Sequence, residues 1–357
     1  MKRRTFLKNA SGIAAGLAVS SISASAKSLS NQQDMVAGLP RRVLGRTGEK
    51  VSVVGFPGLA LTHYDQDRCN AGLLDAFKRG INYYDVAPAY GKDGICEVKM
   101  GIGLKAAKID RSSIFLACKT KMRDKEGARF ELERSLKRLK TDHFDLYQMH
   151  CLRTPEEVKE ALGPGGAIET FLEAKKEGKV RYLGFSAHTT RGALDVMNGF
   201  RFDTAMFPIN FVEVFKMGFG EPVLELARKQ GVAVIAIKPM SKGPWPQGTK
   251  DADKTRKWWY RATESQYDTD LAMRYTLSKE PVVAGIPPSF LDLVDTAIEA
   301  GRSYRPIKEE ETVKLKAIAK DCTSLFRREE ERVARGDFSL SPIYADSPHE
   351  CCRGTHA

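Results

Sequence analysis

Short apolar runs and longer amphipathic stretches alternate along the chain from Leu39 onward. The apolar runs have the length of buried strands. Eight of them recur, at residues 51–56, 81–86, 114–118, 144–149, 182–185, 204–208, 233–237 and 282–286. Between them, apolar residues at three- and four-residue spacing predict amphipathic helices, most clearly at 67–79, 124–139, 221–230 and 290–300. Eight alternating strand–helix units predict a parallel α/β sheet that closes into a (β/α)8 TIM barrel.

A doubly wound open sheet is the alternative to a closed barrel. An open sheet that binds a dinucleotide usually carries Gly-x-Gly-x-x-Gly after its first strand. Around the end of the first run the chain reads Gly55-Phe56-Pro57-Gly58, which lacks that spacing. We therefore expect the barrel.

The N-terminal residues have the order of an export signal. Lys2, Arg3, Arg4 and Lys8 precede an apolar run at 13–19, and a small-residue cleavage site follows at 24–26. The run is too short to span a bilayer stably. This segment resembles a twin-arginine signal, which implies the twin-arginine export machinery as a partner and a periplasmic location.

The chain divides into the barrel and three further parts. We expect residues 39–305 to form the barrel, residues 1–26 to be the twin-arginine signal peptide and residues 27–38 to be a linker. A charged helix is predicted at 308–321, so residues 306–357 are expected to form a C-terminal helix and tail.

Composition limits the classes of function. The 357 residues are 42% hydrophobic and 29% charged, as in soluble globular proteins, and the formal net charge of +12 favours anionic ligands. No nucleic-acid-binding motif accompanies that charge, so we expect no nucleic-acid partner. Seven cysteines show no metal-ligand spacing, which predicts no metal site, and Cys118 falls in an apolar run as a core residue would.

Four chemically active side chains stand at or just after the ends of three successive predicted strands. Asp85 and Tyr90 follow the second strand, Lys119 the third and His150 the fourth. Because catalytic groups of a barrel lie at the carboxyl ends of its strands, these four are predicted to meet. Singly, each residue is typical of packing or of a solvated surface; together they indicate a site.

The four side chains suit the interconversion of a carbonyl and an alcohol. The ammonium of Lys119, kept charged by Asp85, would lower the pKa of the Tyr90 phenol. His150 would donate a hydrogen bond to the carbonyl oxygen, and Tyr90 would act as general acid. No side chain here supplies a hydride, so an organic cofactor such as a nicotinamide is predicted.

These residues resemble those of the aldo-keto reductases. The resemblance rests on residues 44–48 (Leu-Gly-Arg-Thr-Gly), residues 85–91 (Asp-Val-Ala-Pro-Ala-Tyr-Gly), Lys119 and His150, and it runs from about Arg41 to about Arg305. It implies a (β/α)8 barrel, a small carbonyl or sugar-like substrate, and NADP or NAD as cofactor, with NADP slightly preferred. It also implies that Tyr90 is the acid/base group, tuned by Lys119 and Asp85, and that His150 orients the carbonyl.

The cofactor positions match the family less closely. Its Gly-x-Ser-Asn after the fifth strand reads Gly184-Phe185-Ser186-Ala187 here, so the resemblance implies Ser186, with His188 in place of the asparagine. It further implies Asn210 after the sixth strand, and Lys238 where a nicotinamide-stacking tyrosine often stands. Ser289 precedes a helix and is either a phosphate contact or an ordinary helix cap. No basic residue follows it closely in sequence.

An insertion at 241–267 carries Trp245, Trp258 and Trp259. Loops on this face of a barrel border the active site, so these tryptophans either form a substrate wall or pack an inserted helix. The sequence as a whole predicts an exported NAD(P)H-dependent oxidoreductase. The alternative is a barrel that retains nucleotide and works as a binding or sensing module without rapid turnover.

Overall fold

In a computed structural model, which describes residues 34–339, eight parallel strands form a nearly closed barrel surrounded by helices. The strands are β1 (Met35–Val36), β2 (Leu39–Val43), β3 (Lys50–Ser52), β4 (Phe56–Pro57), β5 (Tyr83–Asp85), β6 (Phe115–Thr120), β7 (Phe144–Leu152), β8 (Val180–Ala187), β9 (Thr204–Pro208), β10 (Ala233–Ile237), β11 (Ser241–Pro244), β12 (Tyr260–Ala262) and β13 (Val282–Ile286). The helices are α1 (Gln66–Lys78), α2 (Ile95–Ala106), α3 (Lys125–Leu139), α4 (Pro155–Leu162), α5 (Ala167–Lys176), α6 (Thr190–Gly199), α7 (Phe211–Met217), α8 (Glu221–Gln230), α9 (Gln266–Leu277), α10 (Leu291–Arg302), α11 (Glu309–Lys320) and α12 (Arg327–Ala334).

The barrel sheet runs in the order β4-β5-β6-β7-β8-β9-β10-β13, with each neighbouring pair parallel. Its two ends meet at Val54 and Gly285. The Gly55 amide donates to the Gly285 carbonyl at 3.0 Å, and the Gly285 amide donates to the Val53 carbonyl at 2.9 Å. The predicted barrel is therefore confirmed.

The prediction of one continuous strand at residues 51–56 is wrong. Its first part, β3, pairs antiparallel with β2 in a separate three-stranded sheet, and only β4 pairs with the barrel strand β5. The apolar run does not reveal this division because both parts are buried, and burial alone gives both the same apolar character.

Period-two alternation of the strands decides which side chains enter the barrel. Phe115 and Ala117 of β6 belong to the apolar cluster that contains Leu146 of β7 and Tyr83 of β5, whereas Leu116 belongs to the cluster packed against the helices. Lys119, Asp85 and His150 continue the same alternation toward the strand ends. The interior register thus carries the three charged or polar groups to the mouth of the barrel.

Besides the sheet of β1, β2 and β3, the insertion and the C-terminal helices lie outside the repeating strand–helix pattern. The insertion forms an antiparallel hairpin of β11 and β12, not an inserted helix. At the C-terminus, α11 confirms the helix predicted at 308–321, and α12 follows it. We refer to residues 322–334 as the C-terminal segment.

The five cysteines between residues 34 and 339 are buried free thiols, and Cys118 is a core residue as predicted. Within this same range, no helix is both long and apolar enough to cross a membrane. The predicted twin-arginine signal and the tail cysteines Cys351 and Cys352 lie outside the described residues.

Candidate active site

Lys119, Asp85 and Tyr90 form one buried hydrogen-bonded group at the mouth of the barrel. The Nζ atom of Lys119 lies 2.6 Å and 2.5 Å from the two carboxylate oxygens of Asp85, and 3.1 Å from the Tyr90 hydroxyl. The same hydroxyl donates to Asp85 at 3.2 Å. The sequence prediction that these three side chains meet agrees with this geometry.

The loop after β5 places Tyr90 above the ion pair. Its amide donates to the Ala87 carbonyl at 3.0 Å, which closes a turn, and Gly91 follows with a φ of +72°. A Cβ atom at Gly91 would lie 2.7 Å from the Ile95 side chain, so glycine is needed there for both backbone conformation and space. The turn directs the phenol back over the strand end.

His150 flanks Tyr90 from the end of β7. The two ring centroids are 5.7 Å apart, with an interplanar angle of 79°. The His150 carbonyl accepts a hydrogen bond of 2.8 Å from Arg123, whose guanidinium also contacts Glu157 at 3.0 Å. This buried anchor holds the backbone at His150, so the imidazole sits on a rigid strand end.

Burial sets the electrostatics of the group. It raises the pKa of Asp85, while the Lys119 ammonium and the hydrogen bonds of the carboxylate oppose that rise. Because the ammonium contacts both carboxylate oxygens and the phenol, positive charge lies beside the hydroxyl. A phenolate formed at Tyr90 would therefore be stabilised.

A narrow cleft opens beside Tyr90 at the mouth of the barrel. The side chains that line it are mostly apolar or aromatic. They are Pro57, Leu59, Asp85, Tyr90, Met206, Ile237, Lys238, Trp258, Trp259, Tyr260, Ile286, Pro287 and Ser289. We call this space the mouth cleft.

The mouth cleft includes two of the three predicted tryptophans. Trp258 and Trp259 line it, whereas Trp245 does not; its indole Nε1 donates to the Trp258 carbonyl at 2.7 Å. Trp245 thus supports the hairpin that carries the wall. The sequence left open whether these tryptophans pack within the protein or face a ligand. Trp258 and Trp259 line the cleft, whereas Trp245 packs within the insertion.

His63 and Phe290 extend the aromatic wall, and the sequence reasoning missed both. The His63 ring stacks on Phe290 at 4.5 Å and meets Trp258 edge-on at 5.3 Å. Burial and the nearby Lys99 ammonium lower the pKa of His63. Only its position along the chain could have indicated His63, since it lies in the loop after the first barrel strand and such loops border the active site.

The five predicted cofactor residues fall into two groups. Lys238 and Ser289 line the mouth cleft. Ser186, His188 and Asn210 are buried and make contacts within the protein. The Ser186 hydroxyl accepts the Cys151 amide at 2.7 Å, and the Asn210 side chain accepts the Glu213 amide at 3.0 Å as the cap of α7.

His188 contacts a cysteine and the C-terminal segment. Its Nδ1 atom lies 3.0 Å from the Cys151 thiol, and its ring lies 5.5 Å from Phe326. Phe326 also stacks on Phe219 at 5.4 Å, and the Lys238 ammonium lies 5.3 Å from the Phe326 ring centroid. The C-terminal segment therefore covers the side of the mouth where predicted cofactor residues lie.

Glu213 anchors this segment. Its buried carboxylate accepts hydrogen bonds from the Ser324 hydroxyl and, at 2.7 Å, from the Leu325 amide. Burial raises the pKa of Glu213 to about 7, although these hydrogen bonds and the Lys238 ammonium lower it. No local sequence pattern identifies this contact, since the partners are more than a hundred residues apart.

Comparisons with known proteins agree with this geometry. Residues 55–290 match the model of the aldo/keto reductase family. L-galactose dehydrogenase from Arabidopsis thaliana is 32% identical over 224 residues, which cover 57% of this chain and 66% of that protein. An NAD/NADP-dependent indole-3-acetaldehyde reductase from Schizosaccharomyces pombe is 26% identical over 253 residues, covering 66% of this chain and 82% of that protein.

A solved structure is similar over most of the fold. The holo form of an aldo-keto reductase from Bacillus halodurans is 25% identical, with a TM-score of 0.61, over 80% of this chain and 98% of that chain. Against the plant dehydrogenase and an uncharacterized oxidoreductase from Bacillus subtilis, the match spans 66% and 65% of the relative, just under two thirds of its length.

Proposed function

We propose that this chain, which belongs to the aldo/keto reductase family, is an NAD(P)-dependent oxidoreductase that interconverts a carbonyl and an alcohol with Tyr90 as its general acid/base. One observation carries this proposal. The Tyr90 hydroxyl lies within 3.2 Å of both the Lys119 ammonium and the Asp85 carboxylate, beside the ring of His150.

The proposed roles follow from charge and position. His150 donates a hydrogen bond to the carbonyl oxygen and orients it toward Tyr90. In reduction, the carbonyl carbon gains a hydride and its oxygen gains the Tyr90 proton, which yields the alcohol and a phenolate. Lys119 stabilises that phenolate until water reprotonates it, and Asp85 holds the ammonium in place.

The lining of the mouth cleft suits a nicotinamide cofactor. The cleft runs from Tyr90 to Ser289, which precedes α10, so a phosphate at that end would find hydrogen-bond donors in the Ser289 hydroxyl and the start of the helix. A bound reduced nicotinamide supplies the hydride. Lys238 and Ser289 would hold the cofactor from the cleft. Ser186, His188 and Asn210 would contact the cofactor from the side of the mouth that the C-terminal segment covers.

We propose NADP as the preferred cofactor, with NAD as the second candidate. The fold supplies a cation that the local sequence lacks after Ser289. Arg256 reaches the start of α10, where its guanidinium lies 4.9 Å from the Phe290 ring centroid and contacts Asp292 at 3.2 Å. An arginine at this place suits a 2′-phosphate, which would displace the Asp292 and Glu264 carboxylates that together balance its charge here.

For the substrate, we propose a small carbonyl compound or a sugar. Trp258, Trp259 and Tyr260 line the cleft that Tyr90 also lines, with the Tyr260 ring edge-on to both indoles. Aromatic side chains of this kind pack against the apolar faces of sugars and small aldehydes. The sequence identity of 32% to a protein named L-galactose dehydrogenase also favours a sugar as the substrate.

The test is a panel of aldoses, aliphatic aldehydes and their alcohols, assayed with NADPH, NADH and both oxidised forms. Tyr90→Phe serves as the matched variant, because it removes only the hydroxyl. Turnover that requires this hydroxyl supports the assignment, whereas undiminished turnover by Tyr90→Phe excludes it. Absence of affinity for every nucleotide would exclude the cofactor proposal.

We also propose that the protein is exported through the twin-arginine pathway to the periplasm. The order of basic residues, apolar run and cleavage site in residues 1–26 supports this. Replacing Arg3 and Arg4 together by lysine should keep the mature protein out of the periplasmic fraction. Normal periplasmic accumulation of the paired-lysine variant would contradict the proposal.

The second candidate is an exported barrel that retains its nucleotide and turns over slowly. The burial of Ser186, His188 and Asn210 favours it, because a cofactor that contacts them would exchange only when the cover moves. Protein purified from the periplasm distinguishes the two. Bound nucleotide whose absorbance does not respond to any carbonyl would favour retention, and rapid oxidation of added NADPH would favour the enzyme with free exchange.

A further inference from the structure

Lys238 places a cation in the mouth cleft. It follows β10 directly and is 6% exposed, and its φ of +59° lies in the left-handed region that non-glycine residues rarely adopt. Its Nζ atom lies 5.5 Å from the Trp259 ring centroid and 5.3 Å from that of Phe326. An unusual backbone conformation that directs a lysine into a ligand cleft is typical of a functional position.

The charge of Lys238 dominates the cleft. Among the side chains of residues 34–339 that line it, only Asp85 and Lys238 are ionic in their ordinary states at neutral pH. The charge of Asp85 is cancelled by Lys119, which contacts both of its carboxylate oxygens. The Glu213 carboxylate opposes the charge of Lys238, and its raised pKa of about 7 means that it offsets the ammonium only in part.

We propose that Lys238 determines which oxidation state of the cofactor the cleft prefers, and that it favours the reduced nucleotide. The oxidised nicotinamide ring carries a positive charge and the reduced ring is neutral, so a fixed ammonium repels only the oxidised form. This inference rests on the proposed function, since it requires the nicotinamide to lie in the mouth cleft. It predicts that the bound equilibrium is displaced toward alcohol oxidation.

The size of the effect follows from the distance between the ammonium and the ring. Lys238 and Tyr90 line the same cleft, so a ring bound there beside Tyr90 would lie roughly 7 Å from the ammonium. At an effective dielectric constant of about 20, a unit charge some 7 Å away changes the affinity of a charged ring by tens of fold, and Glu213 reduces this to about tenfold. Tenfold corresponds to about 30 mV for a two-electron couple.

The measured quantity is the ratio of the dissociation constants of NADP⁺ and NADPH. It is determined at equilibrium, by dialysis or protein fluorescence, on the full mature chain, and the same pair of measurements is made for NAD⁺ and NADH. We expect the wild-type protein to bind the reduced form at least about tenfold more tightly. Lys238→Met should lower this ratio about tenfold. Lys238→Arg, which keeps the charge, should leave it nearly unchanged.

A purely structural role for Lys238 gives a different result. If the side chain only packs between Trp259 and Phe326, Lys238→Met weakens both forms equally and the ratio stays constant, which overturns the proposal. If Lys238→Met does not fold, the wild-type ratio decides by itself, because a ratio of one or below is incompatible with a repelling cation.

The binding test of Lys238 and the turnover test of Tyr90 can succeed or fail independently. Tyr90→Phe tests the acid/base role through turnover, and its binding ratio should equal that of the wild type. A ratio that depends on Lys238 together with full turnover by Tyr90→Phe would reject the catalytic role of the phenol and retain the inference. A ratio that does not depend on Lys238, together with loss of turnover by Tyr90→Phe, would reject the inference about Lys238 and retain the catalytic role of the phenol.

Discussion

The ammonium of Lys119 lies 3.1 Å from the Tyr90 hydroxyl and at the same time contacts both carboxylate oxygens of Asp85. The phenol therefore shares a cation with a carboxylate that is itself buried. This arrangement would keep the positive charge fixed beside the hydroxyl during the proposed proton transfer, and electrostatic stabilisation of that kind needs no reorganisation.

Replacement of Tyr90 by phenylalanine should lower kcat by at least about a hundredfold, because the general acid is lost. The dissociation constant of NADPH should change by no more than about twofold, since the ring and its packing remain. Steady-state kinetics and fluorescence titration check the two parts separately. Equal losses in binding and in turnover would show a folding defect and not a catalytic one.

Removal of the Lys119 charge should destabilise the protein strongly. Lys119→Met leaves the Asp85 carboxylate buried without its cation, which typically costs about 3–5 kcal/mol. The paired variant Asp85→Asn/Lys119→Met removes both charges and should recover much of that loss. Urea denaturation measures each free energy of unfolding, and a single variant as stable as the pair would argue against a coupled ion pair.

The sequence predicted the proposed catalytic group because the fold brings the strand ends together. Asp85, Lys119 and His150 lie within two residues of the carboxyl ends of three successive strands, and a parallel barrel gathers these ends at one mouth. The period-two alternation that selects interior residues is also local, so it can be found in a single sequence.

Contacts between distant segments could not be predicted in this way. Glu213 meets Ser324 and Leu325, and Arg256 meets Asp292, without any periodic or spacing signal that relates them. The division of residues 51–56 between two sheets was hidden for a related reason, because hydrophobicity reports burial and not the partner strand. Long-range packing decided each of these features.

The contact of the C-terminal segment with the barrel should depend on Phe326. Its ring is 1% exposed and packs on His188 and Phe219. Phe326→Ala should release the segment locally before the barrel unfolds, since loss of a buried phenylalanine costs about 3–5 kcal/mol. Hydrogen exchange should then rise in residues 322–334 while the barrel strands stay protected.

A matched control for this variant lies two residues further on, in the first turn of α12. Arg328 is exposed, so Arg328→Ala should leave exchange in the C-terminal segment unchanged. Faster exchange throughout the barrel in Phe326→Ala would instead indicate that the segment and the barrel unfold as one unit.

Glu213 should give the stability a defined pH dependence. Its pKa is raised to about 7 in the folded protein and returns toward 4.5 when the chain unfolds. The folded state therefore binds more protons between these values, and its advantage is fully present below about pH 4.5 and is lost as the pH rises through 7. The loss amounts to about 3 kcal/mol.

Glu213→Gln isolates this contribution, because glutamine does not titrate. The difference in unfolding free energy between wild type and variant, measured by urea denaturation from pH 4.5 to pH 8, should decrease steadily toward high pH. A difference that stays constant, or that increases with pH, would contradict a raised pKa at Glu213.

Arg256 should distinguish NADP from NAD. Its guanidinium stands at the start of α10 and donates to Asp292, so a 2′-phosphate there would take the place of that carboxylate on a planar pair of donors. Arg256→Gln should weaken NADPH about tenfold and leave NADH nearly unchanged, because only the phosphorylated cofactor loses a charge-assisted hydrogen bond. Asp292→Asn should act in the opposite direction by removing the carboxylate that competes for the guanidinium. If neither variant changes the preference between the two nucleotides, the 2′-hydroxyl end of the cofactor does not lie at this turn, and the preference for NADP loses its support.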